Sequence, residues 1–189
     1  MSVPTVARDP QLRWRGLTRA QYDSLVDTGA LDGERVELLE GILVEMSPQS
    51  EPHARAITAL NRLLVRSLPP EWDVRPQCPL AVSDDSEPEP DLAVVRRSAG
   101  GAGHPTTAAL VIEVTITSRR PDLLHKPALY AGAGVDQYWV LDLRRQEVVV
   151  HTEPGEAGYG SVLRRPWSES RAVLGLTVDL AALLGDTGS

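Results

Sequence analysis

Residues 109–141 place the strongest constraint on the fold, because two apolar segments enclose a short helical one. Residues 109–115 and 138–141 have the apolar composition of buried strands. A helix that joins two buried strands is typical of a parallel crossover, whereas the rest of the chain has the short turns of hairpins. The sequence therefore predicts an α/β domain with a mixed central β-sheet flanked by helices.

Two charged residues in this stretch need an explanation. Glu113 interrupts the first apolar segment, where a carboxylate must find a cation, a hydrogen-bond donor or a proton. Lys126 is the only Lys among 19 basic residues, the other 18 being Arg. A compact ammonium can shift its pKa or contact a single oxygen, which a planar guanidinium cannot do. The composition indicates a site that requires Lys at position 126, with chance as the alternative.

Length and charge limit the classes of protein. With 189 residues, 42% of them hydrophobic, we predict one domain at residues 17–189 after a flexible arm at residues 1–16. The net charge of −7 argues against binding nucleic acid by bulk attraction, although an enzyme could still reach it through a metal ion. The single cysteine excludes an internal disulfide. With no signal peptide or membrane-spanning stretch in the pattern, we expect a cytoplasmic protein.

Local patterns predict the remaining elements. Thr18 and Gln21 form a capping box that opens a helix, with Leu25 and Val26 facing inward. The third predicted helix begins at Asp122 or, because Pro127 disfavours an interior position, near Lys126. This third helix ends by residue 134, and the other predicted helices are 19–28, 51–68 and 178–184. The predicted strands are 35–39 and 42–46 around a turn at Glu40-Gly41, then 72–75, 80–83, 92–95, 109–115, 137–142, 147–151 and 159–165.

Carboxylates converge on the central strand of this sheet. The loop 84–91 carries five of them in eight residues and ends with Asp91 at the start of a predicted strand. Side chains alternate along a strand, so Glu113 and Thr115 share one face, opposite Ile112 and Val114. If the two strands are neighbours, Asp91 lies beside Glu113. Hard oxygen ligands of this kind suit Mg²⁺ or Mn²⁺, and a nearby ammonium could orient or help to deprotonate an attacking water.

A series of short motifs runs along the chain. They are Glu37-Leu-Leu-Glu-Gly41, Met46-Ser-Pro48, His53, Glu89-Pro-Asp91, Val111-Ile-Glu113-Val114, the spaced set Asp122, Lys126 and Tyr130, and Gly134-Val-Asp-Gln-Tyr138-Trp139. With these motifs the sequence resembles the Uma-type restriction endonucleases of the PD-(D/E)XK nuclease superfamily. The resemblance extends from about residue 17 to residue 151, and the motifs stand in the family's order.

The resemblance implies a role for each matching residue. It assigns Asp91 and Glu113 as metal-binding acids, the carbonyl of Val114 as a further metal ligand, and Glu37 as an acid that completes the site. The superfamily's usual Lys position is occupied here by Thr115, so the resemblance gives that role to Lys126.

His53 and Tyr130 are auxiliary candidates by the same resemblance. The sequence departs from the family in having Pro127 directly after the lysine.

The function expected from the resemblance is hydrolysis of DNA phosphodiester bonds with Mg²⁺ or Mn²⁺, by a homodimer that cuts both strands. RNA or branched DNA is an alternative substrate. Two alternatives come from other classes of protein. One is a nucleic-acid-binding or protein-interaction module that keeps the fold without turnover, and the other is a purely structural domain.

Overall fold

A computed structural model describes residues 15–99, 101, 103–116 and 122–185, without the side chains of 99 and 122–124. The predicted arm, residues 1–16, lies almost entirely outside this range. The helices are α1 (Arg19–Asp27), α2 (Glu51–Ser67), α3 (Asp122–Gly132) and α4 (Leu180–Leu184). The strands are β1 (Val36–Leu39), β2 (Ile42–Glu45), β3 (Trp72–Pro76), β4 (Leu92–Arg96), β5 (Leu110–Thr115), β6 (Gln137–Asp142), β7 (Glu147–Gly155), β8 (Gly158–Pro166), β9 (Arg171–Val173) and β10 (Leu176–Val178).

A six-stranded mixed sheet forms the centre of the molecule, in the order β3-β4-β5-β6-β7-β8. Only β5 and β6 pair in parallel, and α3 connects them, as the strand-helix-strand pattern predicts. All the other neighbours in this sheet are antiparallel. The predicted α/β class with a mixed central sheet flanked by helices is confirmed.

The core is divided between the two faces of this sheet. On one face Leu110, Ile112 and Val114 pack against Leu60 and Leu64 of α2. On the other face the buried apolar cluster includes Val111 of β5, Tyr130 of α3 and Tyr138 of β6. Glu113 lies on this second face, so α3 covers it and brings Lys126 towards the sheet. The alternation predicted for the central strand is confirmed.

Capping and turn chemistry account for the first two elements. Thr18 and Gln21 make both hydrogen bonds of the capping box at the start of α1. The hairpin of β1 and β2 turns at Glu40 and Gly41, whose φ angles are 50° and 79°. Positive φ at both central positions is the conformation of a tight type I′ hairpin, which glycine adopts without strain.

Several local predictions were wrong. Val26 is 50% exposed, and the buried residue of α1 is Tyr22. Residues 80–83 are not a strand; only an isolated bridge pairs Ser83 with Ser86. The third helix begins at Asp122, so a start near Lys126 is wrong and Pro127 is accommodated inside the helix.

The end of the chain also differs from expectation. Val178 belongs to β10, in a small hairpin with β9 that the pattern did not predict. The last helix therefore starts at Leu180, with the side chain of Asp179 accepting a hydrogen bond from the backbone N–H of Ala182.

Candidate active site

Asp91 lies directly before β4 and next to β5. The antiparallel register pairs Leu92 with Ile112, so one more residue along it brings Asp91 beside Glu113. The Oδ2 atom of Asp91 accepts a hydrogen bond from the backbone N–H of Val114 at 2.7 Å. The carboxylate is buried. The predicted proximity of Asp91 to the central strand is thus present, and a backbone bond fixes it.

The carbonyl of Val114 points to the edge of β5 on which Asp91 lies. The next carbonyl, that of Thr115, accepts the N–H of Leu143 on the β6 side. Because backbone groups alternate in direction along a strand, Val114 directs its N–H and its C=O towards the β4 side, where Asp91 accepts the N–H. Since β4 begins only at Leu92, this edge of β5 is not covered by β4 at Val114.

Lys126 lies between two carboxylates. Its Nζ donates a hydrogen bond to Oε1 of Glu113 at 2.9 Å and lies 3.0 Å from Oε2 of Glu37. The three residues are 3%, 3% and 2% exposed, respectively. Glu37 is held in turn by the backbone N–H of Glu89, which donates to Oε2 at 3.0 Å. β1 directs Glu37 into the site.

The buried charges change the acid–base behaviour of this cluster. Burial raises the pKa of Glu113 to about 7, although Lys126 opposes the shift, and the charges of Asp91 and Glu37 add to it. Burial acting alone would lower the pKa of Lys126, but Glu113 and Glu37 together outweigh it and raise that pKa above its ordinary value. The ammonium form of Lys126 is therefore favoured in this cluster.

The two auxiliary candidates are both in contact with the acids. Tyr130 directs its hydroxyl to Oε1 of Glu113 at 3.4 Å, and its ring packs on Tyr138 with a centroid distance of 4.9 Å. Burial raises the pKa of the Tyr130 hydroxyl, so it stays protonated and can donate. His53, in the first turn of α2, places Nε2 at 3.1 Å from Oδ2 of Asp91.

An open cavity of about 630 Å³ gives access to this cluster. Its floor is formed by Glu37, His53, Asp91, Glu113, Val114 and Lys126. One wall is the segment 44–50, which runs from the end of β2 to the start of α2 and was not predicted as part of the site. The other residues lining the cavity include Arg35, Glu89, Thr115 and Ile116. The Met46-Ser-Pro48 motif could have indicated this wall, because it lies between Glu37 and Asp91 in the sequence.

The oxygen atoms on this floor have the chemistry of a Mg²⁺ or Mn²⁺ site. No group of three or more His, Cys, Asp or Glu side chains in the described residues is arranged to hold a metal ion. Mg²⁺, however, commonly uses one or two carboxylates and completes its shell with waters and substrate phosphates. Asp91 and Glu113, which line the cavity together with Val114, match that smaller requirement.

The mixed six-stranded sheet, with Asp91 directly before β4, Glu113 on the neighbouring β5 and the buried Lys126 beside them, is an α/β fold of the restriction-endonuclease-like kind. The chain belongs to the Uma2 family, described as "Putative restriction endonuclease", whose sequence model matches residues 19–181.

A solved structure with the same fold is a "putative nuclease belonging to DUF820" from Anabaena variabilis ATCC 29413. It is 15% identical to this chain, with a TM-score of 0.71 over 89% of this chain and 98% of that one. No curated protein matches the sequence. In the described residues, no helix has the length and apolar character needed to cross a membrane.

Proposed function

We propose that this protein is an endonuclease that hydrolyses DNA phosphodiester bonds with Mg²⁺ or Mn²⁺. The observation that carries the proposal is the buried trio of Lys126, Glu113 and Glu37 beside Asp91 on the floor of an open cavity. Membership of the Uma2 family supports it.

The negative charge of the cavity floor is a reason to expect a divalent cation there. Glu37, Asp91 and Glu113 contribute three acidic groups, more than the one positive charge of Lys126 balances even with Glu113 partly protonated near neutral pH. A phosphodiester would be repelled by this excess of negative charge, because Coulomb energies are large at sites shielded from water. Asp91, Glu113 and the Val114 carbonyl would hold the ion. When bound, it would polarise a phosphoryl oxygen and lower the pKa of a water.

The residues of the chain then have distinct roles. The Lys126 ammonium would donate hydrogen bonds that orient the water or stabilise charge that develops on the phosphate. Glu37 fixes the direction of that ammonium. Tyr130, whose hydroxyl lies 3.4 Å from Oε1 of Glu113, would restrict that carboxylate, and Thr115 has no cationic group to offer.

A substrate panel tests the proposal. Purified protein is incubated with supercoiled plasmid, single-stranded DNA and RNA in Mg²⁺, in Mn²⁺ and in EDTA. We expect nicking or linearisation of the plasmid with either metal, none with EDTA, and none with Glu113→Gln. Glu51→Gln, a change at an exposed residue paired with Arg55, is the matched control and should cut like the wild type.

Other outcomes identify the competing functions. Cleavage of RNA alone would replace DNA with RNA as the substrate. Binding of nucleic acid with no cleavage by any metal-loaded sample would favour the non-catalytic module on this fold. We also propose a homodimer, because two-fold symmetry suits the cutting of both strands; sedimentation equilibrium of the wild type measures it, and a monomer at micromolar concentration would contradict it.

A further inference from the structure

His53 and Asp91 form a buried polar contact that the cleavage chemistry proposed above does not use. His53 belongs to the first turn of α2, and Asp91 enters β4 on the sheet that α2 covers. The His53 Nε2 to Asp91 Oδ2 distance is 3.1 Å, and both side chains are about nine-tenths buried. Breaking this contact would leave a buried polar group unpaired, which costs about 1–3 kcal/mol.

The two nitrogens of His53 have different surroundings, which defines the tautomer. Nε2 faces a carboxylate oxygen, an acceptor, so this nitrogen carries the hydrogen. Nδ1 is buried and has no hydrogen-bond partner in the part of the chain that the structure describes.

The two oxygens of Asp91 also differ. Oδ2 accepts from His53 and from the N–H of Val114, at 3.1 Å and 2.7 Å. Within the described residues Oδ1 makes no hydrogen bond, and it is not one of the buried unpaired atoms. Because Asp91 lines the cavity, the two donors on Oδ2 leave Oδ1 as the oxygen directed at a ligand.

We infer that His53 is a positioning residue that fixes the Asp91 carboxylate, with one oxygen held by α2 and β5 and the other presented to a divalent cation. The inference rests on the proposed metal-binding role of Asp91. In this arrangement α2 acts as a rigid support for the carboxylate. Hydrogen bonds to ligating carboxylates commonly change metal affinity or activity by about 10–100-fold when they are removed.

Two substitutions separate the hydrogen bond from the bulk of the side chain. In His53→Gln the amide nitrogen is reached through the same number of bonds as Nε2, so the donor to Asp91 is retained. In His53→Asn the amide nitrogen reaches only the position of Nδ1, so this donor is lost. Both variants replace the ring with a neutral amide, which makes the asparagine variant a matched control for the glutamine variant.

The first measurement needs no metal. Long-range ¹⁵N–¹H spectra report the tautomer of each histidine, and the chain has only four. The His53 signals, assigned by their loss in His53→Gln, should show hydrogen on Nε2. Hydrogen on Nδ1 instead would overturn the inference, because Nε2 could not then donate to Asp91.

The second measurement is Mn²⁺ affinity, followed by the electron paramagnetic resonance of free Mn²⁺. We expect Kd for His53→Gln within about threefold of the wild type and Kd for His53→Asn weaker by about 10–100-fold. Equal affinity in His53→Asn and the wild type, or an equal loss in both variants, would overturn the positioning role. A wild type that binds no Mn²⁺ and cuts no substrate would contradict the proposed function itself, which is a distinguishable result.

Discussion

Replacing Lys126 with Met should strongly destabilise the protein at alkaline pH. The ammonium is 3% exposed and compensates two buried carboxylates at 2.9 and 3.0 Å. Met keeps the length and the apolar stem but leaves Glu37 and Glu113 uncompensated. Removing one partner of a buried ion pair costs about 3–5 kcal/mol. For a chain of this size that corresponds to a fall in Tm of about 6–20 °C.

The loss of stability should depend on pH with a definite sign. The folded-state pKa of Glu113 is already raised to about 7 by burial, and removal of the ammonium raises it further. A carboxyl whose folded pKa is raised stabilises the protein at low pH, and that stability is lost as pH rises through the folded pKa. The difference between Lys126→Met and the wild type is therefore large at pH 8 and shrinks towards pH 5.

Urea denaturation at pH 5 and pH 8, read by tryptophan fluorescence, to which the buried Trp139 and Trp167 contribute, measures both free energies. The control is Lys126→Met combined with Glu37→Gln and Glu113→Gln, in which no buried charge of the trio remains; its loss should be about 1 kcal/mol or less. A loss below about 1 kcal/mol for Lys126→Met at pH 8, or the same loss at both pH values, would refute the reasoning.

Three further predictions concern other parts of the molecule. Burial raises the pKa of Glu87 to about 7, so the free energy of unfolding should fall as pH rises from about 5 to 8; Glu87→Gln should flatten that dependence in urea titrations and Glu51→Gln should not. Asp142→Ala should cost about 1–2 kcal/mol in the same assay, because Asp142 accepts the backbone N–H groups of residues 144 and 145; an unchanged midpoint would contradict this. Lys126→Arg should fold, by circular dichroism, but lose plasmid cleavage, since a planar guanidinium cannot occupy the space of a compact ammonium between two carboxylates; full activity would make the single Lys a coincidence.

The architecture was predictable where local chemistry agrees with the fold. The capping box of α1 and the glycine of the β1–β2 turn marked element ends, and the apolar run of β5 marked the middle of the sheet. Where tertiary packing decides, the pattern failed. Val26 has the composition of a core residue, yet Tyr22 occupies the core because its hydroxyl donates to the carbonyl of Val36.

Local patterns also failed to predict the course of α3 through Pro127 and the β9–β10 hairpin near the end of the chain. Pro127 argues against an interior helical position by its missing N–H, but the helix continues through it while placing Lys126 and Tyr130 on the face that meets β5. Strands of three residues, such as β9 and β10, are too short to show a period and could not be predicted.

For the site, the residue pattern singled out candidates but not their contacts. A carboxylate in an apolar strand and a single lysine pointed to Glu113 and Lys126, which do meet. The contact of Lys126 with Glu37, and the resulting rise of its pKa, depend on the position of the β1–β2 hairpin over the sheet. No local pattern encodes that position. The His53 to Asp91 contact joins residues 38 positions apart and is likewise visible only in the fold.

A crystal of the wild-type protein soaked in Mn²⁺ tests the central claim most directly. Anomalous scattering locates the ion without reference to activity. We predict a peak in the cavity next to the carboxylates of Asp91 and Glu113 and the Val114 carbonyl, and no peak there in crystals of Asp91→Asn. Mn²⁺ bound only elsewhere, or no ion at a cavity open to solvent, would contradict the claim that these residues form a metal-dependent nuclease site.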